Sequence, residues 1–113
     1  MAIPPPLSRW PDEAEIASRF FRSLGHPIRL QVLGLLEQGE LAVGEIQERL
    51  GLGQSHLSNH LACLRNCGLV TTRAEGRRIF YRWADPGVGD ILRLARPLWE
   101  AKAGGIAGCR HLD

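Results

Sequence analysis

Between Leu41 and Gly68 the chain carries two short helical patterns separated by a tight glycine turn, and this arrangement limits the folds open to it. The first pattern runs from about Val43 to Leu50, with Ile46 and Leu50 on its inward face. Gly51-Leu52-Gly53 forms the turn. The second pattern runs from about Ser55 to Asn66, with Ser55 a candidate N-cap and Leu57, Leu61 and Leu64 as an inward stripe. Gly68 ends it. A hairpin is predicted next. Leu69 to Arg73 has strand character, Ala74 to Arg77 reads as a turn, and Arg78 to Trp83 reads as a second strand.

Two helices are predicted before this unit. One begins near Asp12, where Asp12, Glu13 and Glu15 complement the helix dipole, and it ends at Gly25. Ile16, Phe20 and Leu24 follow at fourfold spacing, with Phe21 beside them. The next starts at Pro27, a residue suited to a first helical position. Its Ile28, Leu30, Val32, Leu33, Leu35 and Leu36 are apolar almost all round, which predicts a central, buried helix closed by Gly39. A last helix is predicted from Pro86 or Asp90 to about Lys102, with Pro97 expected to kink it or end it early. Gly104-Gly105 is expected to break it. The expected organisation is an extended N-terminal arm over 1–11, which holds four prolines, a folded domain over 12–103, and a flexible tail over 104–113 that carries Cys109. The order α-α-α-α-β-β-α predicts a mainly α fold with a β-hairpin wing, an α+β winged helix-turn-helix.

A chain of 113 residues suggests one domain with a real but small core, so oligomerisation would help it. The net charge of +2 does not by itself indicate nucleic-acid binding, but its distribution is more telling. Arg73, Arg77, Arg78 and Arg82 lie between Thr71 and Arg82 with Glu75 as the single acid. The other acids gather near Asp12 to Glu15 and at Glu37, Glu40, Glu45 and Glu48. One end of the molecule is therefore expected to be basic. No apolar run is long enough to span a membrane, and Met1 to Pro11 does not read as a secretory signal, so a cytoplasmic location is expected.

The outward face of the fourth helix carries Gln54, Ser55, His56, Ser58, Asn59 and His60. These donor- and acceptor-rich side chains can reach base edges in a major groove. Arg77 and Arg78, at or beside the hairpin turn, should project farthest and meet phosphates or the neighbouring minor groove. The bland alternative is a solvated polar face with ordinary surface arginines. The two features together make double-stranded DNA the expected partner. His56 and His60 could instead form a metal pair, but no third ligand is evident beside them.

The chain holds three cysteines, which cannot all pair within it, so free thiols or a metal site are expected rather than structural disulfides. Cys63 and Cys67 are four apart on a helix, where Cβ atoms lie roughly 5–6 Å from each other. Two thiolates so placed can grip a soft metal ion, and Cys109 could reach them. The alternative is that the pair simply packs as small hydrophobes. A disulfide between them is disfavoured, since it needs Cβ atoms about 3.5–4.5 Å apart.

Leu41–Val70, together with His26-Pro27-Ile-Arg-Leu30 and Gly76-Arg-Arg-Ile-Phe-Tyr81, resembles the winged helix-turn-helix of the ArsR/SmtB family of bacterial metal-responsive repressors. The resemblance covers residues 12 to about 100. It implies a homodimer through the first and last helices, bound to operator DNA when empty and released by an inducer. One familiar pair of cysteines in that family would fall at Ala42 and Gly44, and is missing. An Asp/His set on the last helix is reduced to Asp90. Leu61–Val70 instead resembles a cadmium- and lead-sensing branch, which uses two cysteines of the recognition helix and one from the partner subunit's tail. That likeness implies Cys63, Cys67 and Cys109 as ligands. It makes Cd(II) or Pb(II) the leading inducer, with Hg(II) or As(III) also suited to sulfur. A fourth ligand could be His111, a water, or none. Mg(II) and Ca(II) are excluded by hardness. The expectation is a repressor and not an enzyme. The main alternative is a thiol redox-responsive repressor. A thiol enzyme pairing a cysteine with His56 or His60, or a protein-interaction module, stands further off.

Overall fold

A computed structural model of the chain describes residues 12–109. The expected 1–11 arm and His111 lie outside those residues. The elements in order are α1 (Ala14–Leu24), α2 (Pro27–Leu35) extended by a 3-10 turn at Leu36–Gln38, β1 (Leu41–Ala42), α3 (Val43–Leu50), α4 (Gln54–Asn66), β2 (Val70–Glu75), β3 (Arg78–Trp83), α5 (Gly87–Ala101) and α6 (Ala103–Ala107). The predicted order holds, with β1 and α6 as additions.

The core forms where the inward stripes of four helices meet the base of the wing. Val32 and Leu33 of α2, Ile46 of α3, Leu57 and Leu64 of α4, and Leu69 and Val70 entering β2 are its fully buried side chains. Burial of side chains this size supplies the main drive for folding, about 1.5–3 kcal/mol each. The α2 helix is less enclosed than its composition suggests, since Leu30 remains 38% exposed. The fourfold stripe of α1 runs off the core: Leu24 is buried, Phe20 is half-buried, and Ile16 is 72% exposed.

Local chemistry sets the element ends. The imidazole of His26 accepts the Ile28 N–H at 3.1 Å and caps α2, whose first residue is proline. The Glu45 carboxylate reaches back to the Ala42 N–H at 3.1 Å and caps α3. Gly51 closes α3 at φ 66°, a left-handed conformation that favours glycine. The cap of α4 is Gly53, and the expected Ser55 cap instead lies within the first helical turn. The α4 helix therefore starts one residue early, with no side-chain cap.

The wing is tighter than expected. Glu75 pairs with Arg78, so Gly76 and Arg77 alone make the turn, with Gly76 at φ 59°. β1 adds a third antiparallel strand on the other edge of β3, with Leu41 opposite Tyr81. The Trp83 indole N–H donates to the Leu33 carbonyl at 2.9 Å and ties the wing to α2. Gly89 of α5 packs against the same ring so closely that a Cβ there would sit 2.5 Å from it. Two expected helix ends, an early one at Pro97 and one at Gly104-Gly105, do not fall where expected. The α5 helix runs through Pro97 to Ala101, because Pro97 is exposed and the carbonyl left without its partner can meet water. Gly104-Gly105 lies inside α6, and the break falls at Lys102, whose φ of −124° leaves the helical region.

Candidate nucleic-acid interface and thiol site

The first two turns of α4 present Gln54, Ser55, His56, Ser58 and Asn59 to solvent. Leu57, between them, is buried, so the face is fixed in rotation by the core behind it. The Ser58 hydroxyl donates to the Ser55 carbonyl at 3.4 Å. The other side chains of this face carry hydrogen-bonding groups outward from an anchored helix, as a base-reading element requires.

His60 departs from that face. Its ring is half-buried, 4.2 Å from the His26 ring between centroids, and its Nδ1 lies 3.3 Å from Arg29 Nη1. Burial first, then the neighbouring His26 and Arg29, hold its pKa below the usual histidine value. His60, expected among the outward groups, is not one of them: the helix has turned it toward α2. The ring of His56 lies 6.4 Å from that of His60, and among the described residues no three His, Cys, Asp or Glu side chains gather around a possible metal position.

The wing arginines divide in two. Arg77, at the turn, is exposed and its side chain has no partner among the described residues. Arg78 reaches back to Glu45 of α3 at 3.3 Å and lies over the Phe80 ring at 4.9 Å. Arg73 is held by Glu40 and by Glu75, the latter at 2.7 Å, and covers the same ring at 4.3 Å. The Arg73 guanidinium in turn holds the Glu40 carboxyl below its usual range. Arg82 donates to Thr71 at 3.3 Å. The expected segregation of charge is therefore softened, because Glu40 and Glu45 fold against Arg73 and Arg78. Of the two wing residues expected to project, only Arg77 does so freely.

Cys63 and Cys67 line one shallow pocket with Arg19, Arg22, Ser23 and Arg29. Cys63 is half-buried and Cys67 is exposed at the helix end, and both are free thiols. Burial, then the neighbouring Cys67, push the Cys63 thiol above its ordinary pKa, with Arg29 opposing. Cys109 is exposed beyond α6 and does not join the pair within one chain. The donor set, all sulfur and without a carboxylate, fits a soft ion. The arginines of the pocket had no mark in the sequence. Arg29 sits in the His26–Leu30 segment, and only tertiary packing turns it toward α4.

A four-helix core with a reading helix held ahead of a three-stranded wing defines the class: a winged helix-turn-helix DNA-binding protein. Known proteins then place it. The model of the bacterial regulatory protein arsR family matches residues 26–72. A Streptomyces lividans protein named "Probable mercury resistance operon repressor" is 37% identical over 98 residues, 87% of this chain and 78% of that one. The regulator CmtR of Mycobacterium bovis is 42% identical over 83 residues, 74% of this chain and 65% of that protein. Among solved structures, reduced HlyU from Vibrio cholerae superposes with a TM-score of 0.72 at 38% identity, covering 82% of this chain and 98% of that one. The homodimeric winged helix-turn-helix domain from Mycobacterium bovis does so with 0.72 at 32%, covering 88% and 91%. The chain belongs to the ArsR family. It is a DNA-binding transcriptional regulator and not an enzyme. Among the described residues, no helix is long and apolar enough to cross a membrane.

Proposed function

We propose that the protein is a metal-responsive repressor whose empty homodimer holds operator DNA and is released by a soft ion, Cd(II) or Pb(II), bound by three cysteines. The observation that carries this reading is that Cys63 and Cys67 occupy one pocket on the helix that also presents Gln54 to Asn59. An ion held there acts on the reading element directly. Relatives named for mercury resistance and as CmtR support a sensing role. Cys109 is the third ligand, supplied by the partner subunit, since it stands apart from the pair in its own chain. The dimer forms through α1 and α5, which leave Ile16, Phe21, Leu94 and Leu98 more than half exposed. Burying such side chains in a second copy is favourable at roughly 25 cal/mol per Å², and the homodimeric neighbour offers a precedent. Base contacts come from Gln54, Ser55, His56, Ser58 and Asn59, and backbone contacts from Arg77.

The test is a titration of reduced protein with Cd(II), Pb(II), Hg(II) and As(III). Sulfur-to-metal ultraviolet absorption is followed alongside release from a duplex selected for binding. Wild type should show both together, and Cys63→Ser should keep DNA binding while losing the response by more than the roughly 10–100-fold that losing an outer-shell partner of a metal site costs. An unchanged dose response in Cys63→Ser would sink the site. Release by an oxidant alone, reversed by dithiothreitol, would instead make these thiols a redox switch.

A further inference from the structure

We propose that Arg19, Arg22 and Arg29 make the cysteine pocket selective for the charge of the complex formed in it, favouring a divalent soft ion over arsenic(III). The inference rests on the three-thiolate reading above and adds to it a basis for choosing among thiophilic ions.

The pocket that holds Cys63 and Cys67 is lined by three guanidinium groups and by no carboxylate. Arg29 is fixed: its Nε donates to the Ser23 carbonyl at 2.6 Å, one terminal nitrogen to the Arg22 carbonyl at 3.1 Å, and the other lies 3.3 Å from His60. Arg19 is partly neutralised by Glu15 at 3.2 Å. Arg22 is exposed, with no side-chain ion pair among the described residues. Guanidinium stays protonated at any working pH, so the pocket carries a standing positive field.

A field of this sign opposes a bare cation and must be judged against the whole complex. When a divalent ion binds, three S–H bonds break, three sulfur–metal bonds form and three protons leave to solvent. Three thiolates around a doubly charged ion carry one net negative charge, which the arginines stabilise. Arsenous acid reacts differently. Each As–OH leaves as water with the proton of one cysteine, three As–S bonds form, and the product is neutral. The sulfur contacts are alike in number, and the arginines distinguish the two products by charge alone. Across about 6 Å of water-rich space, a unit charge is worth about threefold in affinity.

The experiment compares wild type with Arg22→Gln, Arg19→Gln/Arg22→Gln and the matching lysine pair, leaving Arg29 in place because of its backbone bonds. Both residues are exposed, and circular dichroism confirms that the variants fold. Affinities for Cd(II) and for As(III) are read from sulfur-to-metal absorption. Cd(II) affinity should fall about threefold in the single variant and somewhat more in the double, less at high salt. As(III) affinity should hold, and the lysine pair should restore Cd(II) binding. Equal losses for both ions, or no loss for Cd(II), would overturn the arginine inference while leaving the thiolate site standing. Absence of charge-transfer absorption in wild type would overturn both.

Discussion

The two halves of α4 are built for opposite tasks. From Gln54 to Asn59 the solvent side is exposed and polar, and its one side-chain hydrogen bond among the described residues stays within the helix. From His60 to Cys67 the same helix is clasped: His60 meets His26 and Arg29, and Cys63 shares a pocket with residues of α1 and α2. Leu57, Leu61 and Leu64 run beneath both halves and make them one rigid body. A helix free at one end and held at the other can read DNA with the first and be moved by whatever changes the second. The wing repeats the contrast on a smaller scale, with Arg77 free at the tip and Arg73 and Arg78 bound down behind it.

The sharpest way to break this comparison is to remove the shared spine. Leu64 is wholly buried. Leu64→Ala should cost about 2–5 kcal/mol of stability in a urea titration, the range for a leucine cavity. Asn59→Ala should leave the unfolding curve in place and weaken binding to a selected duplex by about 1–3 kcal/mol, the worth of a good base contact. If Asn59→Ala moved the unfolding curve as far as Leu64→Ala, or left DNA affinity untouched, the first half of α4 would not be a free reading face.

These assignments differ in how far they can be read from sequence. The stripe Leu57, Leu61, Leu64 and the turn Gly51-Leu52-Gly53 are local signals, since spacing and backbone freedom fix them without reference to the rest of the chain. The winged architecture follows from their order. The direction of His60 is not local: on the helix it lies near the border of the outward face, and His26 and Arg29, more than thirty residues earlier, decide its side. The pairing of Arg73 with Glu40 and of Arg78 with Glu45 is equally remote, because β1 must pair with β3 before Glu40 and Glu45 come near the wing. A two-residue strand leaves too short a pattern to detect. Pro97 shows the reverse error, a strong local signal that an exposed helix face tolerates.

The wing offers a finer test of free against bound. Arg77→Ala should weaken DNA binding evenly across sequences and reduce the salt slope by about one, as loss of one phosphate contact does. Arg78→Ala should change the slope less, since its charge is already committed to Glu45. Measuring both variants by fluorescence anisotropy over a salt series decides the matter. Equal slopes for the two would mean that the Glu45 pair opens on DNA and the division of the wing dissolves.

The smallest effect concerns the clasp itself. His60 is held below the ordinary histidine value, 6.5, by burial first and then by His26, Arg29 and His56. The folded chain thus prefers the neutral ring, whereas the unfolded chain takes up its proton near 6.5. Between the unfolded and the lower folded value the unfolded state binds more protons, so stability there rises with pH. The contribution is fully present above about 6.5 and is lost as pH falls through the folded value. His60→Asn should therefore make the acid-side loss of stability shallower below pH 6.5 and leave its pH dependence above that point unchanged. Urea midpoints at intervals from pH 5 to 8 would show it. A variant as acid-sensitive as wild type would mean that the proton is taken up elsewhere, and that the second half of α4 is held by packing rather than by the charge state of this ring.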